Sequence, residues 1–184
     1  MITINFIEIF TKWSSVLRAA RTTIGKDSLD KEPSSTWKKK ILLAEHSPIR
    51  MLLINWKWSH IKSWVSVHFV RHKIGIEHFV KTQRSDRTGI VRDRASQDSM
   101  VDHECIANAQ SLINISRKRL CSSASKETRE AWKLVLEELK EREPELYSVC
   151  VRECLYRGFC PEFKCCGYVE TEQYKNELEE YRAT

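Results

Sequence analysis

The chain has 184 residues, 41% of them hydrophobic and 30% charged, with only 5 Gly and 4 Pro. This length suits one domain around one core, and the composition excludes a disordered chain and a collagen-like one. The formal net charge is +6, from 31 Lys and Arg against 25 Asp and Glu.

The predicted elements follow in chain order. Residues 2–10 are β-branched and aromatic and alternate in part, which reads as a strand. The same opening segment lacks a basic start and carries Glu8 inside its apolar stretch, so it reads as a poor signal peptide. No apolar run reaches the roughly 18–20 residues that cross a bilayer. A soluble, cytoplasmic protein is therefore expected. Ser14 to Thr23 reads as a short helix capped by Ser14 or Ser15 and ending at Gly25. Lys26 to Thr36 reads as a loop, and Lys38 to Glu45 as a helix that stops before Pro48. Met51 to Trp58 is strand-like. His60 to Val70 reads as a helix, because Ile61, Trp64, Val65, His68 and Phe69 recur at helical spacing, although Val65 and Val67 also suit a strand.

Arg71 to Arg94 is broken by Gly75 and Gly89 and rich in charge, so it reads mostly as loop. Asp102 to Leu120 gives the clearest helical pattern: Cys105, Ala109, Leu112, Ile113, Ser116 and Leu120 share one face. Gln110, Asn114, Arg117 and Cys121 form a second, polar stripe, flanked on the other side by Asn108 and Arg119. Such a stripe offers hydrogen bonds to a flat polar ligand; a solvated helix face is the other reading. Lys126 to Glu143 is a second helix, with Ser125 as its cap and Pro144 past its end. Pro144 to Gly167 reads as irregular and cysteine-rich, and Tyr174 to Tyr181 as a charged terminal helix. The expected fold class is α+β, a single domain over residues 1–184 with a central sheet flanked by long helices.

The basic excess is local. Arg71, Lys73, Lys81, Arg84, Arg87, Arg92 and Arg94 face only Glu77, Asp86 and Asp93 in the same stretch. This suits an anionic ligand, whether a phosphorylated small molecule or nucleic acid, or else a solvated charged face. Of the 7 cysteines, Cys150, Cys154, Cys160, Cys165 and Cys166 crowd into the segment 150–167. An odd number without a secretory signal argues against a disulfide framework. Cys154, Cys160 and either Cys165 or Cys166, with Cys121 as the fourth ligand, would supply four thiolates to a closed structural zinc site, with buried thiols as the alternative. There is no Walker loop, no G-x-G-x-x-G, no H-E-x-x-H and no G-x-S-x-G.

Several blocks together resemble the flavin-dependent thymidylate synthase family, in a divergent form of the kind carried by phage. The family signature is R-H-R, a short spacer, then S-x-R. Here Arg71-His72-Lys73 is followed by Thr82-Gln83-Arg84, with a spacer one residue longer. Ala19-Ala-Arg-Thr-Thr23 resembles the family's A-A-R-x-S, and His46-Ser-Pro48 its H-x-P turn. The segments Asn108–Asn114 and Arg119–Ala124 resemble its asparagine-rich helix and the R-L-x-x-x-A that follows. Cys154–Gly167 is similar to the cysteine-containing block of one branch, which also has cysteine at the position of Cys121; that resemblance implies Cys121, Cys154, Cys160 and Cys166 as the zinc ligands, with Cys166 chosen over Cys165 because it precedes Gly167. The chain departs from the pattern at Lys73, at Thr82, at Gln110 in place of the helix arginine, and at Arg50-Met51 where Glu-His is usual.

The resemblance implies the family fold and its reaction: methylation of deoxyuridine monophosphate at the pyrimidine C5. Methylenetetrahydrofolate supplies the carbon, and FAD reduced by NADPH supplies the hydride. It implies Arg119 as the catalytic group that stabilises charge developing on the ring. Thr82, Gln83 and Arg84 would take the nucleotide phosphate, and His68 would contact the nucleotide. Arg71, His72, Lys73, Asn108 and Asn114 would bind the flavin. It also implies a homotetramer with shared active sites, in the cytoplasm of the host cell for a phage-encoded protein, with no membrane or nucleic-acid partner. A related one-carbon transfer to a deoxynucleotide, a zinc-stabilised nucleic-acid-binding protein and a catalytically inactive scaffold remain as alternatives on the same fold.

Overall fold

The computed structural model describes residues 2–183. The chain forms β1 (Thr3–Ile9), α1 (Trp13–Thr23), α2 (Ser35–Leu43), a 3-10 turn (Ser47–Met51), β2 (Leu53–Lys62), α3 (Ser63–Val70), β3 (Ile76–Val80), α4 (Ser85–Thr88) and β4 (Met100–Asn108). It continues with α5 (Ala109–Arg119), α6 (Lys126–Arg142), α7 (Pro144–Val149), α8 (Glu153–Arg157) and α9 (Glu172–Ala183). The four strands make one antiparallel sheet in the order β1-β2-β4-β3. The predicted α+β single-sheet architecture is thus the observed one.

Register decides which side chains meet. Ile7 pairs with Trp56, Trp56 with Cys105, and Cys105 with His78, a single row across the sheet. A neighbouring row joins Trp58 to His103 and His103 to Val80. Neighbours directly opposite in a sheet point to the same face, and in β4 that face is the buried one: Val101, His103, Cys105 and Ala107. The helices α3, α5 and α6 cover it. At its centre Trp56, Trp58, Trp132 and Phe69 are all at most 1% exposed, with Trp56 and Trp58 edge to face at 5.5 Å and Phe69 4.5 Å from Trp58. Each such pair adds about 0.5–1.5 kcal/mol beyond area burial. Two indoles also bond across elements: Trp58 Nε1 donates to the Ala131 carbonyl at 2.9 Å, and Trp132 Nε1 to Ser116 Oγ at 2.9 Å.

The structure corrects several boundaries. Residues 102–108 are strand rather than the start of a helix. They alternate buried and half-exposed, and Asn108 then caps α5 by accepting from the Ser111 amide at 2.9 Å. His60 to Lys62 end β2, where a bulge puts His60 at φ +57° and lets both Trp58 and Ile61 face the core. The helix begins only at Ser63. The stretch 71–94 is not all loop, since it holds β3 and α4. Likewise α7 and α8 structure part of the cysteine-rich segment. The first helix starts at Trp13 with Lys12 as its uncapped boundary, not with a serine cap, and α2 begins at Ser35 on a Ser34 cap, inside the predicted loop.

Candidate functional site

Arg119 closes the last turn of α5, where a cation complements the helix dipole. Its guanidinium is half-buried and two of its three nitrogens are engaged. Nε donates to His72 Nε2 at 2.9 Å, and Nη2 donates to the His68 carbonyl at 2.6 Å. Burial, then the neighbouring Arg71 charge, lowers the Arg119 pKa from its ordinary value. Arg119 is therefore a cation fixed in direction and poorly solvated. His72 accepts through Nε2 and so carries its proton on Nδ1. Burial, followed by Arg119 and His78, pushes its pKa down to about 4, which keeps it neutral. The His68 ring turns to Thr128 Oγ1 at 2.9 Å and lies edge-on to Trp64 at 5.5 Å. Burial, then Arg119 and Arg71, lowers its pKa as well.

The segment from His68 to Gly75 runs along α5, from Arg119 at one end to Asn108 at the other. Gly75 lies against the Asn108 side chain and its carbonyl accepts from the Asn108 amide at 2.9 Å. Gly75 has φ +72°, and a Cβ built there would stand 2.4 Å from Asn108 Nδ2. Only glycine fits both the backbone and the space. Of the predicted site residues, His68, Arg71, His72 and Arg119 come together, and Asn108 lies at the far end of the same strip. Arg71 and Lys73 are exposed and have no ion-pair partner among the described residues.

Other predicted residues sit elsewhere. Asn114 is on the opposite side of α5, where its Oδ1 accepts from Gln110 at 3.5 Å and from Arg117 at 3.4 Å. Glu45 organises this stripe, accepting from Gln110 Nε2 at 2.5 Å and pairing with Arg117, whose guanidinium stacks 3.5 Å over the Tyr156 ring. Thr82 and Arg84 are exposed. Arg84 forms a two-point bond to Asp86, at 3.0 and 2.9 Å, and its amide donates to Thr82 Oγ1 at 3.2 Å. Cys121, Cys154, Cys160 and Cys166 line one small cavity of about 20 Å³ together with Arg152 and Tyr168. All seven cysteines are unpaired. A larger cavity of about 650 Å³ opens among α6, α7 and α9, lined by Leu136, Tyr147 and Tyr181 among others, and Arg119 is not on it.

Sequence reasoning missed one cluster. His78 Nδ1 lies 3.0 Å from His103 Nε2, and Cys105 Sγ lies 3.3 and 3.2 Å from these two atoms. Burial, then His78, lowers the His103 pKa to about 3, and burial raises that of the Cys105 thiol. The signal available was the alternation His103-x-Cys105, which places both side chains on one face if the segment is a strand.

No protein-family model matches the chain, and no curated protein matches its sequence. In fold it is similar to the UMP/dUMP methylase PolB from Streptomyces cacaoi, solved with 5-Br dUMP, with a TM-score of 0.64 and 12% identity over 86% of this chain and 96% of that one. It is equally similar to thymidylate synthase X from Helicobacter pylori, solved with FAD and dUMP, with a TM-score of 0.64 and 14% identity over 82% of this chain and 99% of that one. A second structure of that flavin-dependent enzyme, also with FAD and dUMP, gives 0.63 and 16% over 83% and 100%. The fold expected from the sequence, that of the flavin-dependent thymidylate synthases, is the fold of this chain.

Proposed function

We propose that this chain methylates deoxyuridine monophosphate at C5 to give thymidine monophosphate, with FAD as its cofactor and NADPH and methylenetetrahydrofolate as co-substrates. The observation that carries the reading is the fixed, half-buried Arg119, held by His72 and the His68 carbonyl within the one strip that also carries the signature-like Arg71-His72-Lys73. The fit to an anionic dinucleotide rests on charge. Arg71 and Lys73 are uncompensated cations on that strip, and Asn108 stands at its far end. When bound, the flavin supplies the hydride that turns the folate-derived carbon into a methyl group.

The chain's own residues bind and orient. Arg119 presents a directed positive charge to the pyrimidine, so that negative charge building on the ring as C5 becomes nucleophilic is stabilised without reorganisation. His72 fixes the guanidinium plane, and His68 fixes it from a second direction through its carbonyl. Thr82, Gln83 and Arg84 take the phosphate once Arg84 exchanges Asp86 for it; an exposed pair of this kind is worth only about 0–1 kcal/mol, so the exchange is cheap.

Two further features belong to the same reading. Assembly into a homotetramer with shared sites is supported by the exposed Val67, Val70, Ile74, Phe79, Ile90 and Val91, which flank or carry the basic segment. Structural zinc at Cys121, Cys154, Cys160 and Cys166 rests on the one cavity they line; among the described residues no three of their sulfurs lie within 4.8 Å of one another, so the site would have to close on the ion. The function is tested by adding FAD to the purified protein and titrating in deoxyuridine monophosphate. A yellow complex at one flavin per chain, whose flavin spectrum changes on adding the nucleotide, is expected. Failure to retain FAD at any nucleotide concentration would remove the proposal.

A further inference from the structure

The cluster of His78, His103 and Cys105 is unlike an ordinary core contact. Three atoms able to ligate a metal converge, all within 4.8 Å of one another, from two paired strands. His103 and Cys105 are fully buried, and His78 at the sheet edge is half-buried. Each imidazole also has a partner on its outer nitrogen. His78 Nε2 donates to the His72 carbonyl at 2.8 Å, and His103 Nδ1 lies 3.0 Å from Ser66 Oγ. Histidines that ligate metals are held in this way, with the outer N–H given to a carbonyl or hydroxyl so that the inner lone pair points at the ion.

We propose that His78 Nδ1, His103 Nε2 and Cys105 Sγ form a binding site for a zinc-class divalent cation, which ties the edge strand β3 to β4. The inference stands apart from the proposed methyltransferase activity. The donor set of two imidazoles and one thiolate suits a borderline-soft ion. Bonds of about 2.0–2.1 Å to nitrogen and 2.3 Å to sulfur place tetrahedral ligands roughly 3.3–3.6 Å apart. The three separations, 3.0, 3.2 and 3.3 Å, need open by only a few tenths of an ångström.

Without an ion the cluster has one consistent proton arrangement. Ser66 donates to His103 Nδ1, His103 Nε2–H donates toward His78 Nδ1 and Cys105 Sγ, and His78 Nε2–H donates to the His72 carbonyl. With an ion, His103 moves its proton from Nε2 to Nδ1 and donates to Ser66, and Cys105 releases its thiol proton. One proton leaves per ion bound, and three protein ligands leave the fourth position to water. The consequence is local order, because the backbone of His72, whose side chain holds Arg119, is anchored through His78 to the ion.

The test uses full-length protein stripped of metal and titrated with Co²⁺, in a Cys154→Ser/Cys160→Ser background that breaks the separate cysteine cavity. The expected result is a thiolate-to-cobalt charge-transfer band saturating at one ion per chain. Adding Cys105→Ser, a near-isosteric change, should abolish it, and His78→Gln at the half-exposed edge should weaken cobalt binding at least tenfold. No band in that background, or a band that survives Cys105→Ser, overturns the proposal. So that the test does not depend on the double background folding, the wild type and Cys105→Ser alone are compared in parallel. The wild type should show the larger charge-transfer band and a rise in melting temperature with Zn²⁺ that exceeds that of the variant. Identical spectra and identical shifts in the two would also overturn it.

Discussion

Arg119 donates its Nε–H to His72 Nε2 at 2.9 Å across 47 residues of sequence, so the end of the main helix and the signature-like basic segment act as one unit. Neither residue would keep this orientation alone. The guanidinium is aligned by a neutral imidazole and a backbone carbonyl, and the imidazole is kept neutral by burial and by the guanidinium itself. Arg119→Lys keeps the charge and loses the planar fork that makes both contacts. Turnover should fall by about 10² or more, the size expected when one preorganised donor to a developing charge is removed. Nucleotide affinity, read by calorimetry, should change by far less. Equal losses in both would mean that Arg119 contributes uniform binding instead.

Arg84→Ala addresses the phosphate. The residue is exposed and its side chain pairs, among the described residues, only with Asp86, so the fold should lose little on its removal. Deoxyuridine monophosphate should bind about 1.5–3 kcal/mol more weakly, the range for a charge-assisted hydrogen bond. Calorimetry showing unchanged affinity would take the phosphate away from this segment.

Gly75 and Gly89 give a matched pair. Both have positive φ, +72° and +71°, but a Cβ at Gly89 meets nothing within 4 Å whereas one at Gly75 collides with Asn108. Both alanine variants carry about 1–2 kcal/mol of left-handed strain. Gly75→Ala should cost about 1 kcal/mol more, because displacing Asn108 also removes the cap of α5. Chemical denaturation of the two variants measures the difference, and equal costs would mean that Asn108 moves aside freely.

Glu143 carries a pH dependence. It is 8% exposed and accepts from Trp13 Nε1 at 2.7 Å. Burial raises its carboxyl pKa, opposed by the Trp13 bond and by Lys38. A carboxyl that holds its proton more tightly in the folded state contributes full stability below its unfolded pKa, about 4.3, and loses it as pH rises through the folded value. Glu143→Gln keeps an acceptor for Trp13 and cannot ionise. Relative to the wild type, the variant should therefore gain stability as pH rises from the unfolded carboxylate value, about 4.3, upward. A difference in denaturation midpoint that is flat or shrinks with rising pH would show that the carboxylate is well compensated.

The fold class and the major helices were legible because amphipathic spacing and caps agree in them; α6 with its Ser125 cap is the clearest case. The strands β3 and β4 were not legible, for one shared reason. Both alternate with period two, but each places a histidine at a core-facing position, His78 and His103, so the apolar alternation is broken where it should be strongest. Cys105 and Ala109 then fell by chance four residues apart and imitated a helix across the true junction at Asn108. The Arg119 cluster was legible from motif order. Its separation from Asn114 was legible too, since five helical residues turn the two about 140° apart wherever the helix begins; only the resemblance grouped them in one site.

The central claim is chemistry at the pyrimidine C5, and the direct measurement is tritium release from deoxyuridine monophosphate labelled at that carbon. Wild-type protein supplied with FAD, NADPH and methylenetetrahydrofolate should release the label to water with stoichiometric thymidine monophosphate, release should stop when any one of the three is left out, and Arg119→Lys should release almost none. Retention of the label by flavin-loaded wild-type protein under the complete conditions would contradict the account.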